Sequence, residues 1–318
     1  VYLSQAKWFF HKLLAGKTPA PAWCRARTPS SPLDRHTNPE RAEGADDERG
    51  LLSMTITAIA NLKGGVGKTT IVNGLAHAAA STRRTCLVVD ADSQGNSTKH
   101  LTSHDVESPP DWSLADVLDR DVECSAEQAI IKARRSGIDV LPSGFSDLQA
   151  VMDTLVAKTG GEMAVDRALK AVADKYEHIL IDCRPAIDLV SRGALYAADN
   201  VLIVVNPESD AIDGFDAIRQ SIDDLEQYMG KVLPIAGVVV NKIDGRRADH
   251  AKTLEYLRGY VKEADLPIVG EPIPMLTDIS KLTNVGMGLD EHPRPTGRIR
   301  NLHENFVKIL NATGGEAK

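Results

Sequence analysis

The 318-residue chain carries a net charge of −7 and is 42% apolar, enough for one large domain or two small ones. The negative balance gives no sign of nucleic-acid binding through bulk charge, so any DNA contact has to come from a local basic patch. No apolar run approaches the ~18 residues of a membrane span. The four cysteines are far apart and form no C-x-x-C pair, which predicts free thiols in a reducing cytoplasm.

Residues 1–53 differ in composition from the rest of the chain. They contain five of the fourteen aromatic residues, five of the sixteen prolines, and eight basic against six acidic side chains. Residues 18–50 are rich in Pro, Ser and charge, which predicts disorder, while residues 2–14 could form one short basic helix. Three interpretations are open: a partner-binding or targeting arm, a small DNA-binding domain, or an extension outside the natural product. We favour the last, or a tail without function, because Met54 directly precedes the first strand.

The first strand and the loop after it carry the most informative pattern. An apolar run at residues 54–60 precedes the octapeptide K-G-G-V-G-K-T-T at residues 63–70, and apolar residues at helical spacing follow. This order predicts a phosphate-binding loop, although Lys63 stands where the usual pattern has its first glycine. Lys68 is expected to reach the β- and γ-phosphates, and the Thr69 hydroxyl to ligate Mg²⁺. The nucleotide-binding candidates here are Gly64, Gly65, Val66, Gly67, Lys68, Thr69 and Thr70.

Strands and helices then alternate along the chain. Helical patterns, including one at residues 163–176, separate the strand-like runs. Those runs are residues 85–90, 138–141, 178–182, 201–205 and 235–240. The alternation predicts an α/β fold over residues 54–318, with a mostly parallel, twisted sheet covered by helices on both faces. Ligands of such folds bind at the carboxyl ends of the strands.

Acidic residues end two of these strands. The sequence D-A-D-S-Q-G-N-S-T begins at Asp90, and H-I-L-I-D ends at Asp182. Asp90 and Asp182 are therefore candidates for the Mg²⁺ shell. Asp92 is the candidate for orienting the attacking water in phosphoryl transfer. A strand followed by a polar turn is the alternative interpretation of the first pattern, and the second is weak by itself because many strands end in Asp.

A further motif, G-V-V-V-N-K-I-D at residues 237–244, is compatible with recognition of either ATP or GTP. After an apolar strand, N-K-x-D is also the pattern with which GTPases recognise guanine. Residues 182–185, however, are D-C-R-P and not the D-x-x-G that GTPases use to sense the γ-phosphate. We therefore expect ATP and not GTP.

Together these motifs resemble those of the ParA/MinD ATPases, over residues 54 to about 310. K-G-G-V-G-K-T-T is similar to the deviant Walker A box of that family, and D-A-D-S-Q-G-N-S-T to its D-x-D-P-Q-G-N-x-T box. The resemblance implies a homodimer that forms with ATP, in which Lys63 reaches the nucleotide held by the partner. It also implies that Asn241 contacts the adenine edge and that Pro272 and Pro274 pack on the ring.

The Soj-like DNA-partition proteins are the branch that the chain resembles most. This implies a cytoplasmic, nucleoid-associated ATPase whose dimer binds DNA without sequence preference and whose hydrolysis a ParB-like partner stimulates, driving plasmid or chromosome partition. Its DNA-binding candidates are Arg246, Arg247, Arg298 and Arg300. The last two lie near the N-terminus of a predicted helix at residues 297–310, where an external anion would offset the unfavourable position of cations. Residues 275–278, M-L-T-D, count against DNA because the family often has arginines there.

Other functions stay open. A MinD-like membrane ATPase needs an amphipathic C-terminal helix, and the final N-A-T-G-G-E-A-K has no apolar face. A protein-cargo-positioning ATPase is one alternative, and a P-loop metabolic enzyme, such as an amidotransferase-type ligase or a tyrosine kinase, is another. Arg184 replaces the first proline of the D-x-P-P that is common in the family. It could contact phosphate, an activator or nothing.

Overall fold

The computed structural model describes residues 54–208 and 210–314, so the predictions for residues 1–53 lie outside the described residues. The described strands are β1 (Thr55–Ala60), β2 (Cys86–Ala91), β3 (Ile131–Lys132), β4 (Ile138–Leu141), β5 (His178–Cys183), β6 (Asn200–Val205) and β7 (Ile235–Val240). The described α-helices are α1 (Lys68–Ser81), α2 (Asn96–Leu101), α3 (Leu114–Leu118), α4 (Ala126–Ala129), α5 (Ser146–Leu155), α6 (Ala164–Lys170), α7 (Leu189–Ala197), α8 (Ala211–Met229), α9 (Ala248–Glu263), α10 (Thr277–Asn284) and α11 (Gly297–Thr313).

The strands form one sheet in the order β3-β4-β2-β5-β1-β6-β7. Every pairing is parallel except that of β3 with β4. The interior strand β1 is buried along its whole length, as expected of a parallel strand covered on both faces. The predicted α/β fold is confirmed. Because β2, β5 and β1 are neighbours and run the same way, the segments after them meet at one edge of the sheet.

Two apolar cores cover the two faces of the sheet. One contains residues of α1, α10 and α11, such as Ile71 and Phe306. The other contains residues of α5 to α9, such as Leu148 and Phe215. The predicted apolar face of the last helix is confirmed, because its four members are all buried. These are Ile299, Leu302, Phe306 and Ile309.

The helices α1 and α11 cross closely at a glycine. A Cβ at Gly74 would lie 2.3 Å from Cε1 of Phe306, well inside contact distance. Glycine in the middle of a helix costs about 1 kcal/mol relative to alanine, so its presence here reflects this close approach. The crossing fixes α1, and with it the loop that precedes α1, against the C-terminal helix.

Two local features differ from the predictions. The segment at residues 163–176 is not one helix, because α6 stops at Lys170 and Ala173–Lys175 form a 3₁₀ turn. Val172 leaves helical geometry with φ −128° and is fully buried. Burial of this β-branched residue and entry into β5 outweigh helix propensity here. The two-residue strand β3 was not predicted, since so short a segment shows no periodicity.

Candidate nucleotide-binding site

The loop between β1 and α1 has the backbone that a phosphate-binding loop requires. Gly65 and Gly67 have φ of +76° and +95°, in the region that side chains other than glycine rarely adopt. A Cβ at Gly67 would lie 2.2 Å from Nδ2 of Asn241, so space as well as conformation requires glycine. The helix α1 begins directly after it, at Lys68. The unpaired N–H groups of its first turn therefore open onto the loop and form an anion-binding site.

The N-K-I-D segment holds the loop in place. Nδ2 of Asn241 donates to the carbonyl of Val66 at 2.9 Å, and Nζ of Lys242 donates to the carbonyl of Gly65 at 2.6 Å. Asn241 is 2% exposed. Its side chain therefore supports the loop backbone, and its contact with adenine stays a prediction. The sequence analysis did not predict that Lys242 holds the loop carbonyl of Gly65. Its place in the N-K-I-D motif was the signal that could have indicated this contact.

The segment with Pro272 and Pro274 lies beside this motif. The amide of Ile273 donates to the carbonyl of Val240 at 2.8 Å, and the amide of Ile243 donates back to the carbonyl of Ile273 at 3.0 Å. Ile243 and Pro274 also form a parallel bridge. The structure thus brings the two prolines next to the N-K-I-D segment, and their packing on an adenine ring stays a prediction.

Lys68 is buried inside the loop. Its Nζ donates to the carbonyl of Lys63 at 3.3 Å, and only 7% of the residue is exposed. Burial lowers the pKa of Lys68, and the nearby Asp182 opposes that effect. A buried ammonium with one long hydrogen bond has donors to spare, which suits a ligand with several anionic oxygens.

Asp90 and Asp182 stand side by side in the register of β2 and β5 and are both buried. Burial and their mutual repulsion raise the pKa of Asp90, and burial raises the pKa of Asp182. Oδ2 of Asp90 accepts from the amide and the hydroxyl of Thr98, each at 2.7 Å. Oδ2 of Asp182 accepts from the Ser97 hydroxyl at 2.8 Å. Thr69, in the first turn of α1, lies near Asp182 and opposes the rise in the pKa of that carboxyl.

Asp92 is the least constrained of the three acids. Its Oδ1 accepts from the amide of Gln94 at 3.0 Å, and its side chain is partly exposed. Its charge contributes to the raised pKa of both Asp90 and Asp182, so the three carboxylates are close together. The structure therefore gathers all the acids that the sequence selected, with Asp92 at the accessible side.

Lys63 points to acids of its own chain. Its Nζ forms ion pairs with Glu208 and Asp210, in the segment after β6, and 24% of its side chain is exposed. Burial alone would lower the pKa of Lys63, but hydrogen bonds to Asp210 and Glu208 raise it. These two partners were missed from the sequence, because some 145 residues separate them from Lys63. The predicted contact of Lys63 with a second protomer stays a prediction.

Arg184 contacts residues of α5 and of the segment between β5 and α7. Its Nη1 donates to Oε1 of Gln149 at 3.0 Å and lies 3.0 Å from Oδ2 of Asp188 and 3.2 Å from the sulfur of Met152. Asp188 in turn caps α7 by accepting from the amide of Ser191. The three roles considered for Arg184, a contact with phosphate, with an activator or with neither, stay predictions. The described contacts tie the segment after β5 to α5 and α7.

The predicted DNA-binding arginines lie on two elements. Arg246 pairs with Asp244 through Nε at 3.0 Å, and Arg247 pairs with Asp249, both at the surface. Arg298 and Arg300 are exposed in the first turn of α11, and Nη2 of Arg300 donates to the carbonyl of Pro295 at 3.2 Å. Their contact with DNA stays a prediction.

The residues at the loop fit a magnesium ion held together with phosphates. No group of three or more His, Cys, Asp or Glu that could hold a metal is found within residues 54–208 and 210–314. Mg²⁺ in phosphate sites needs no such group, because one or two carboxylates, a hydroxyl, waters and phosphate oxygens complete its shell. Asp182 beside the Thr69 hydroxyl supplies this set, and the adjacent buried acids leave negative charge for a cation to neutralise.

The glycine-rich loop, the strand order and the acids at the ends of β2 and β5 define a P-loop nucleotide-binding fold. Residues 54–235, more than half of the chain, match the family model described as an AAA domain. The sporulation initiation inhibitor protein Soj of Bacillus subtilis is 33% identical over 81% of this chain and 99% of its own length. The chromosome partitioning protein ParA of Myxococcus xanthus is 30% identical over 75% of this chain and 82% of its own. The chain belongs to this AAA-domain family, which includes ParA and Soj.

Solved structures agree with this assignment. Cobyrinic acid a,c-diamide synthase from Mycobacterium smegmatis, determined with a bound ATP analogue and magnesium, has a TM-score of 0.64 and 29% identity over 73% of this chain and 92% of its own. The ATP complex of a McdA variant from Cyanothece has a TM-score of 0.71 over 82% of this chain and 96% of its own, and at 24% identity it supports the fold alone. Within residues 54–208 and 210–314, the helices are too short or too polar to cross a membrane.

Proposed function

We propose that the chain is a partition-type switch that binds ATP with Mg²⁺, dimerises, holds DNA without sequence preference and hydrolyses ATP when a ParB-like partner stimulates it. The observation that carries this proposal is a phosphate loop with two differently placed lysines. Lys68 is buried inside the loop, whereas Lys63 is held at its outer edge by surface carboxylates. The similarity to ParA and Soj supports a cytoplasmic, nucleoid-associated role in plasmid or chromosome partition.

The residues of the loop divide the work of binding and hydrolysis. The N–H groups of the loop and the Nζ of Lys68 would hold the phosphates, and Asp182 with Thr69 would hold the cation. An ion held there would supply positive charge against the negative charge that develops on the phosphates. Asp92, partly exposed beside these groups, is placed to orient a water molecule. Asn241 and Lys242 donate to the carbonyls of Val66 and Gly65, which would keep these two carbonyls from facing the phosphates.

The ion pairs of Lys63 set a condition for dimerisation. For Lys63 to reach the nucleotide of a second protomer, its contacts with Glu208 and Asp210 have to open. Exposed ion pairs contribute only about 0–1 kcal/mol each, so the multiple charges of a triphosphate can replace them. This exchange links the position of Lys63 to the bound nucleotide.

DNA binding would use the surface arginines. Arg246 and Arg247 pair with carboxylates in exposed positions, and a phosphate can compete for them. Arg298 and Arg300 lie at the start of α11, where the helix dipole favours an anion next to them. A dimer presents each arginine pair twice. Once one protomer is bound, the arginines of the second protomer therefore bind DNA at a high effective concentration.

Co-sedimentation with duplex DNA, with and without ATP, tests the proposal. We expect binding that requires ATP, is equal for unrelated sequences, and weakens with salt at a slope of about −0.9 in log K per phosphate contact. The double variant Arg246→Glu, Arg247→Glu should lose affinity for all sequences alike and keep ATP-dependent dimerisation. A matched control, Arg120→Glu with Lys132→Glu, changes the net charge equally at other surface positions. Failure of the wild-type protein with ATP to bind DNA at low salt would contradict the partition proposal.

The likeness to cobyrinic acid a,c-diamide synthase favours a second candidate, a P-loop metabolic enzyme of the ligase type. Such an enzyme would hydrolyse ATP only together with product formation. It would show no ATP-dependent binding to DNA. A protein-cargo-positioning ATPase is the third candidate. A dimer that forms with ATP but does not bind DNA would favour the protein-cargo-positioning ATPase.

A further inference from the structure

Ser97 lies directly against Asp182, the acid proposed for the cation. The Oγ of Ser97 is 2.8 Å from Oδ2 of Asp182 and 3.2 Å from Oδ1 of Asn73 on α1. Ser97 is 0% exposed, so no water competes for its hydroxyl from the surface. Its single proton has two possible acceptors, and a carboxylate forms the shorter and stronger bond. The distances agree with donation to Asp182.

The fold holds Ser97 in this position through the neighbouring residue. Thr98 donates its amide and its hydroxyl to the buried Asp90, and its hydroxyl also accepts from the amide of Ser143 at 3.2 Å. These bonds fix the start of α2 to β2 and to the segment after β4. Because Ser97 precedes Thr98 in α2, the same bonds fix the Ser97 hydroxyl above the end of β5. Asp90, predicted as part of the Mg²⁺ shell, thereby acts in the described contacts as an anchor for α2.

The contact with Ser97 leaves Asp182 a defined surface for a cation. Thr69 lies close enough to Asp182 to oppose the rise in the pKa of that carboxyl, and its hydroxyl has lone pairs for a cation. With Ser97 on Oδ2, the carboxylate cannot rotate freely toward Lys68 or Asp92. Residues that orient a metal-binding carboxylate typically change metal affinity by about 10- to 100-fold when they are removed.

We propose that Ser97 is a positioning residue for magnesium, which orients the Asp182 carboxylate by donating its hydroxyl proton to Oδ2. This inference rests on the proposed binding of a nucleotide with Mg²⁺ at the loop. It adds a residue that neither the phosphate-loop motif nor the acid at the end of β5 contains.

The test is a magnesium titration of the binding of a fluorescent ADP analogue, with binding in EDTA measured alongside. Ser97→Ala should raise the Mg²⁺ concentration for half-maximal effect by about tenfold and leave binding in EDTA unchanged. The control Ser221→Ala removes another buried serine hydroxyl, which donates at 3.0 Å to the carbonyl of Ala217 within α8, on the other face of the sheet. That control should titrate like the wild type.

A second variant separates orientation from packing. Ser97→Cys keeps a side chain of similar shape with a much weaker donor, so it should fold and still require more Mg²⁺ than the wild type. A wild-type Mg²⁺ dependence in folded Ser97→Ala and Ser97→Cys, even with a lower Tm, would overturn the positioning role. If the wild-type protein itself shows no Mg²⁺-dependent nucleotide binding, the proposed function fails as well, and the two failures are distinguishable.

Discussion

At the scale of single residues, the three acids of the site differ in what already holds them. Asp90 accepts two hydrogen bonds from Thr98 and Asp182 accepts one from Ser97, whereas the hydrogen bond described for the Asp92 side chain comes from the nearby amide of Gln94. A water-orienting group has to be free to approach the substrate. Asp92 is the acid that meets this condition.

Replacing Asp92 therefore should separate binding from hydrolysis. Asp92→Ala should bind ATP, accumulate as a dimer and lose about two or more decades in hydrolysis rate, because a water-positioning group is removed. Release of phosphate under single-turnover conditions measures the rate. The control Asp223→Ala removes an exposed acid of α8 and should keep the wild-type rate. Wild-type turnover by Asp92→Ala would assign the role to another residue.

At the scale of elements, the contact of α1 with α11 determines how firmly the loop is supported. Gly74→Ala should destabilise the protein by up to about 2 kcal/mol, because overpacking against Phe306 costs about 1–3 kcal/mol and alanine regains about 1 kcal/mol of helix propensity. The free energy of unfolding in denaturant measures the effect. Gly259→Ala on α9 is the matched control, since a Cβ there meets nothing within 4 Å, and it should stabilise the protein.

The smaller side chain in Phe306→Leu provides the second arm of the experiment. If the two side chains compete for the same space, the double variant Gly74→Ala, Phe306→Leu should be less destabilised than the sum of the single variants. Strict additivity would show that the helices separate without strain at this position.

Local elements were predicted well from the sequence where one physical signal dominates. β7 was predicted with the observed bounds, and β5 within one residue, because continuous apolar runs were unambiguous. The prediction for the segment after α6 was wrong, because tertiary burial of Val172 overrides local propensity. The loop and its acids were predicted from spacing. The contacts of Lys63 with Glu208 and of Ser97 with Asp182 were not, since they join residues 145 and 85 positions apart.

At the scale of the whole molecule, the proposal requires that nucleotide binding and dimerisation be separate steps with separate lysines. Lys68 is buried in the loop of its own chain, whereas Lys63 pairs with half-exposed carboxylates that, under the proposal, it would leave for a second protomer. Loss of the Lys68 side chain should abolish nucleotide binding. Loss of the Lys63 side chain should leave nucleotide binding intact and abolish dimerisation.

The most direct measurement is the molar mass in solution by light scattering, with and without ATP, for the wild type, Lys63→Ala and Lys68→Ala. The control Lys170→Ala removes a lysine that also pairs with a carboxylate, Asp166, but lies on α6 away from the loop. We expect a monomer–dimer shift with ATP in the wild type and the control, and none in the other two. Lys63→Ala should still bind ATP, and Lys68→Ala should not. Equal ATP-dependent dimerisation of Lys63→Ala and the wild type would contradict the assignment of Lys63 to the partner's nucleotide.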